Sequence, residues 1–201
     1  MNDFTKSIIE LNNTNAKNLI ECSFNNLNTK MYTEHAINII SVNICILKKH
    51  FDELCIIIDN METKFEVIVL TEAWLGLENV SINNFLMDGY TIHSTTNNKN
   101  QNNCVVVCLK YSLKDVLIAE IYSNALTILE IIFKISKIDF LIYSIYRSPN
   151  SILDIDLNDL NDLILFNSNF KTAKYKIILG DLNIDLLKST KMRDDNLVVI
   201  A

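Results

Sequence analysis

Lys176-Ile177-Ile178-Leu179-Gly180-Asp181-Leu182-Asn183-Ile184 is a short apolar run stopped by a glycine, with a carboxylate and an amide directly after it. Ile177, Ile178 and Leu179 suit a strand buried on both faces. Gly180 permits a backbone conformation that a side chain would forbid. In extended geometry alternate residues share a face, so Asp181 and Asn183 are expected on one side together. A carboxylate and an amide at the end of a buried strand can begin a hard-metal or phosphate site. The plainer reading of the same residues is a strand followed by an Asx-rich turn.

Two further strands end in the same way. Ile37 to Val42 is a candidate strand ending just before Asn43, and Phe65 to Leu70 is a second, followed by Thr71-Glu72-Ala73-Trp74. Ligands gather at the carboxyl ends of strands in open α/β sheets. Three oxygen-bearing residues after three separate strands are a pattern that composition alone would seldom produce.

Between these strands, Leu47, Phe51, Leu54, Ile58 and Met61 recur at helical spacing, which predicts a helix from Leu47 to Met61. Asp88-Gly89-Tyr90 reads as a turn into a short strand, Thr91 to His93. Cys104 to Leu109 is another strand, and residues 97–103 read as an Asn-rich loop. Leu126 to Ile135 and Asp139 to Tyr146 form a strand pair joined at Ser136-Lys137. Ser151 to Phe166 has helical pattern, and its Asp154, Asp156, Asn158, Asp159 and Asp162 read as a solvated face. Residues 1–36 read as an irregular extension, with Ile8, Ile9 and Leu11 as the start of a short helix. Alternating strands and helices with adjacent strand pairs imply an α/β protein with mixed sheets.

The composition narrows the class. The chain is 49% hydrophobic, enough for a sizeable core, and holds 3 Gly and 1 Pro, so linkers of the usual composition are missing. A formal net charge of −6 argues against tight non-specific nucleic-acid binding, which relies on Lys and Arg. It leaves room for a metal-dependent phosphoesterase, whose carboxylates add negative charge at the site. Cys22, Cys45, Cys55, Cys104 and Cys108 lack zinc-ligand spacing and read as reduced, mostly buried thiols of an intracellular protein. No run of 18 apolar residues exists, so no membrane span is expected, and the polar start does not read as a signal peptide.

Ser41-Val42-Asn43, Leu70-Thr71-Glu72-Ala73-Trp74-Leu75, Ile145-Tyr146-Arg147-Ser148-Pro149 and Ile178-Leu179-Gly180-Asp181-Leu182-Asn183 stand in an order that resembles the endonuclease/exonuclease/phosphatase family. Within it, the set is most similar to the apurinic-type endonuclease domain of jockey-like non-LTR retrotransposons. The resemblance covers roughly residues 37 to 190. It implies a four-layer sandwich of two mixed β-sheets flanked by helices, in a domain at 37–201. It also implies Mg²⁺-dependent phosphodiester cleavage, with Mn²⁺ as the alternative cation, and target-site DNA as partner. Glu72 would be the principal metal carboxylate, with Asn43 beside it. Asp181 would orient or deprotonate the attacking water, Asn183 would hold that water or the phosphate, and Tyr146 would bring its phenol to the scissile phosphate. Arg147 would contact a phosphate. An enzyme acting on genomic DNA would work in the nucleus.

The pattern departs from the family in its last part. The family's late Asp and its Ser-Asp-His motif are absent, and the three histidines, His35, His50 and His93, all precede Asp181. Cys45-Ile46 and Asn102-Asn103-Cys104 replace a polar pair and a Gly-rich entry. These departures imply a truncated copy that lacks its closing strands. Two alternatives stay open: a non-catalytic remnant with the same fold, and a phosphatase acting on a small phosphate ester.

Overall fold

A computed structural model describes residues 7–8, 20–21, 37–75, 81–96, 104–123 and 125–183. The Asn-rich loop at 97–103, the segment after Asn183 and most of residues 1–36 therefore lie outside the described residues. Within 1–36, β1 (Ser7–Ile8) pairs antiparallel with β2 (Ile20–Glu21). Ile8 thus sits in a strand, where the sequence reading put a helix start.

The body is two mixed sheets. The first runs β3 (Ile39–Asn43), β4 (Val67–Thr71), β6 (Val106–Lys110), β5 (Tyr90–Ser94), with β3 and β4 parallel and the remaining pairs antiparallel. The second runs β10 (Tyr175–Asp181), β9 (Ile138–Arg147), β8 (Leu126–Ile135), β7 (Lys114–Tyr122), with β10 and β9 parallel. Val67, Val69, Val107 and Leu109 of the first sheet meet Leu129, Ile131, Phe133, Ile142 and Leu179 of the second in one apolar layer. The alternate residues Ile68, Leu70, Val106 and Cys108 face outward onto α1 (Leu47–Asn60), through Leu47, Phe51, Leu54 and Ile58. Ile128, Leu141, Tyr143 and Ile145 cover the other outer face, packed with Leu160 of α2 (Leu153–Phe166) and Ala173 after α3 (Ser168–Thr172). The order is helix, sheet, sheet, helix, which is the four-layer α/β sandwich expected.

Period-two alternation explains these layers, because a strand buried on both faces feeds two cores at once. β10 departs from the expectation for such a strand. Ile177 and Ile178 are only half-buried, because β10 pairs with β9 alone among the described residues. β7 carries no signal that predicted it. It is largely exposed, and a register shift near Asp115, at φ 52°, interrupts its alternation. Among the four described cysteines, all free, Cys104 and Cys108 are buried, Cys55 is half-buried and Cys45 is exposed.

Asp156 corrects the reading of α2 as having a wholly solvated acidic face. It is 2% exposed, and its carboxylate accepts a hydrogen bond from Arg147 Nε at 2.9 Å. The buried guanidinium supplies the partner that a desolvated carboxylate needs.

Candidate active site

β3, β4, β9 and β10 all end at the same edge of the sandwich. The β10–β9 register sets Asp181 directly beside Tyr146, and the β3–β4 register sets Asn43 beside Thr71, one residue before Glu72. β10 also packs against β3 and β4 across the sheet interface. Asn43 Nδ2 consequently donates to Asp181 Oδ2 at 3.0 Å, across 138 residues of sequence. Asn43 Oδ1 accepts from the Cys45 backbone N–H at 3.2 Å.

The loops that carry these residues are held in unusual conformations. Cys45, Ile46, Glu72, Trp74 and Asn183 all have positive φ, between 42° and 78°. Non-glycine residues enter that region at a cost, which surrounding structure must offset. Here the backbone does so. Ile46 N–H donates to Glu72 O at 3.0 Å and Leu47 N–H to Ala73 O at 2.9 Å, so the Glu72 loop satisfies orphan donors at the start of α1. The loops after Asn43 and Glu72 are therefore tied together by backbone.

Glu72 is a half-buried carboxyl. Burial raises its pKa above the ordinary 4.5, a hydrogen bond with Asn43 partly offsets this, and the Asp181 charge raises it further. Tyr146 is 1% exposed; burial, then the charges of Glu72 and Asp181, push its phenol up to about 12. The phenol is thus a hydrogen-bond donor at neutral pH. The Asp181 charge acts on both Glu72 and Tyr146, and Asn43 bonds Asp181, so Asn43, Glu72, Tyr146 and Asp181 share one locus.

Asn183 is reached differently from the expectation. The chain leaves extended geometry after Asp181, and the Asn183 N–H donates to Asp181 Oδ1 at 3.0 Å, an Asx turn. Asn183 Nδ2 donates to Arg147 O at 2.7 Å. The Arg147 side chain points away from the site, on the opposite face of β9 from Tyr146, toward α2. It is 4% exposed, with four of its five N–H groups donating inside the protein.

The raised Glu72 pKa carries a stability consequence. The folded chain holds this proton more tightly than the unfolded chain does. The favourable contribution is therefore complete below the unfolded carboxyl range and disappears as pH rises through the folded value. Glu72→Gln should melt at a higher temperature than the parent at pH 7, and the two midpoints should converge toward pH 4. A constant difference across that range would mean that charge is not the cause.

The donors are all hard oxygens: the Glu72 carboxylate, the Asp181 carboxylate and the Asn43 amide. That fits a small hard cation such as Mg²⁺, which takes one or two carboxylates and keeps several waters. It does not fit a structural zinc.

No family model and no curated protein matches the chain. Solved structures do. TDP2 from C. elegans superposes with a TM-score of 0.54 at 16% identity, over 79% of this chain and 51% of that one. The endonuclease domain of TRAS1, a telomere-specific non-LTR retrotransposon, gives 0.52 at 14% identity, over 75% and 62%. NExo, a 3′ phosphatase from Neisseria solved with a product DNA hairpin, gives 0.51 at 16% identity, over 74% and 58%. This chain has the fold of the endonuclease/exonuclease/phosphatase proteins. It spans 51% to 62% of the length of these three structures.

Proposed function

We propose that this chain is a metal-dependent phosphodiesterase domain that nicks DNA, of the kind carried by jockey-like non-LTR retrotransposons. The observation that carries the reading is the Asn43–Asp181 hydrogen bond, which joins two distant strand ends beside Glu72 and Tyr146. A likeness to DNA-processing enzymes such as NExo supports the substrate class. Work on genomic DNA would place the protein in the nucleus.

Glu72 and the Asn43 amide oxygen would hold Mg²⁺ or Mn²⁺. When bound, the cation supplies Lewis-acid polarisation of a phosphoryl oxygen. Asp181 is fixed by two donors, Asn43 Nδ2 and Asn183 N–H, and each carboxylate oxygen keeps a free lone pair. It would take a proton from the attacking water as the new O–P bond forms and the bond from phosphorus to the leaving oxygen breaks, and the leaving oxygen would take a proton from solvent. Asn183 spends one amide hydrogen on Arg147 O and keeps the second for a phosphate oxygen or the water. Tyr146 donates its phenolic hydrogen toward the phosphate. Arg147 faces inward and takes no phosphate in this reading.

The deciding measurement is nicking of supercoiled plasmid by the purified chain, with Mg²⁺ and with EDTA. Nicking that EDTA abolishes is the expected result. No nicking, together with hydrolysis of a small phosphate ester, would move the substrate class; neither activity would leave a non-catalytic domain. Tyr146→Phe keeps the buried ring and removes the donor. It should lower the rate about 10- to 100-fold while the melting temperature stays nearly unchanged. An unchanged rate would remove the phenol from the mechanism.

A further inference from the structure

We propose that Arg147 and Asp156 are a positioning pair, which holds the Leu182–Asn183 segment and thereby the Asp181 carboxylate in the geometry of the site. The catalytic part of this inference rests on the function proposed above. Arg147 ends β9, one residue after Tyr146, and the two side chains take opposite faces of the strand. Tyr146 goes to the site and Arg147 goes to α2.

The guanidinium is a hub with four partners, one carboxylate and three backbone carbonyls. Nε donates to Asp156 Oδ2 at 2.9 Å, Nη1 donates to Leu182 O at 3.0 Å and to Asn183 O at 3.2 Å, and Nη2 donates to Ser151 O at 3.2 Å. Ser151 Oγ lies within hydrogen-bond distance of both the same Asp156 oxygen and Ser148 O, and its single hydrogen is shared between these two acceptors. The side chains of Arg147 and Asp156 are 4% and 3% exposed. From the other direction, Asn183 Nδ2 donates back to Arg147 O. One arginine therefore grips Asn183 at both its carbonyl and its amide side chain.

Mere adhesion does not require this arrangement. A buried ion pair loses much of its Coulombic gain to desolvation, and an apolar pair of similar volume often holds two elements as well or better. What an apolar pair lacks is direction. A planar fork with donors at set angles fixes where two successive carbonyls lie. Those carbonyls belong to a segment that needs fixing: Asn183 sits at φ 49°, and its N–H orients the Asp181 carboxylate. Asp156 lies on α2, away from Asn43, Glu72 and Tyr146. It acts on the site only through Arg147.

The test uses the full chain with Asp156→Asn, Arg147→Lys and, as a control on the exposed side of α2, Asp162→Asn. Three quantities are read well below each melting temperature: hydrogen exchange at the Asn183 amide, exchange in the β8–β9 hairpin, and kcat and KM for Mg²⁺-dependent plasmid nicking. Asp156→Asn should speed exchange at Asn183 at least about tenfold with the hairpin unchanged. It should lower kcat about 10- to 100-fold, in the range seen for supporting residues, with KM within about twofold. Arg147→Lys should behave alike, because an ammonium cannot reproduce the fork, and it keeps the test open if Asp156→Asn does not fold. Asp162→Asn should match the parent. Local loosening without a fall in kcat overturns the proposal, as does a rise in KM alone for Arg147→Lys, which would mark a phosphate contact. If the parent nicks nothing, the function reading falls, and exchange at Asn183 alone decides the pair: faster exchange supports the grip, unchanged exchange refutes it.

Discussion

Asp181→Ala should lower Mg²⁺-dependent nicking by about 10²- to 10⁴-fold, the range for loss of a positioned proton acceptor. The carboxylate is the only group that receives both Asn43 Nδ2 and the Asn183 N–H among the described hydrogen bonds. Its removal takes away the proposed proton acceptor and both of these hydrogen bonds at once. The fold should survive. Asn43 is exposed, so water replaces the lost acceptor, and the net cost is about 1 kcal/mol. A second signature follows from charge: burial still raises the Glu72 pKa in this variant, but the added push of the Asp181 charge is gone, so Glu72 should ionise at lower pH than in the parent. Equal nicking by parent and variant would show that the activity comes from elsewhere.

Gly180→Ala should be far more damaging to the fold. A Cβ built at Gly180 lies 1.9 Å from Ile145 O and 2.8 Å from Ile145 N, and the backbone is at φ +134°. Ile145 is the register partner of Gly180 on β9, so the obstacle is paired backbone that cannot step aside. We expect a loss of about 4 kcal/mol or more, or no folded protein. Gly89 is the internal comparison. It also has positive φ, +81°, but nothing lies within 4 Å of its Cβ position. Gly89→Ala should cost only the backbone preference, about 1–2 kcal/mol. Urea midpoints of the two variants separate close packing from conformational strain. Similar losses would mean that β10 shifts to admit the methyl.

Particular residues show how far the sequence carried the fold and the site. The β8–β9 pair was legible because two long apolar runs flank Ser136-Lys137, and both turn residues do adopt positive φ. α1 was legible because its buried residues keep strict helical spacing. β7 was not, because an exposed strand with an interruption at Asp115 has little apolar alternation to read. Asn43, Glu72 and Asp181 are legible locally as strand-end residues, but which side of each loop they face is set by pairing between strands. The bond between Asn43 and Asp181 has no trace in either local stretch. Asp156 was misread because its partner, Arg147, belongs to another element; a buried acid among solvated ones looks the same in sequence. Asn183 departed from alternation because its own N–H turned back to Asp181.

The β8–β9 hairpin bears on how the molecule assembles. Its ten-residue register closes over a two-residue turn, the smallest loop-closure entropy in either sheet. The locus of Asn43, Glu72, Tyr146 and Asp181 instead waits on the most distant pairing described, from Asn43 to Asp181. Folding nuclei favour nearby contacts. Substitutions inside the hairpin should therefore slow refolding, whereas those where the strand ends meet should chiefly hasten unfolding. The geometry of the proposed site is then among the last things this chain acquires and the first it surrenders.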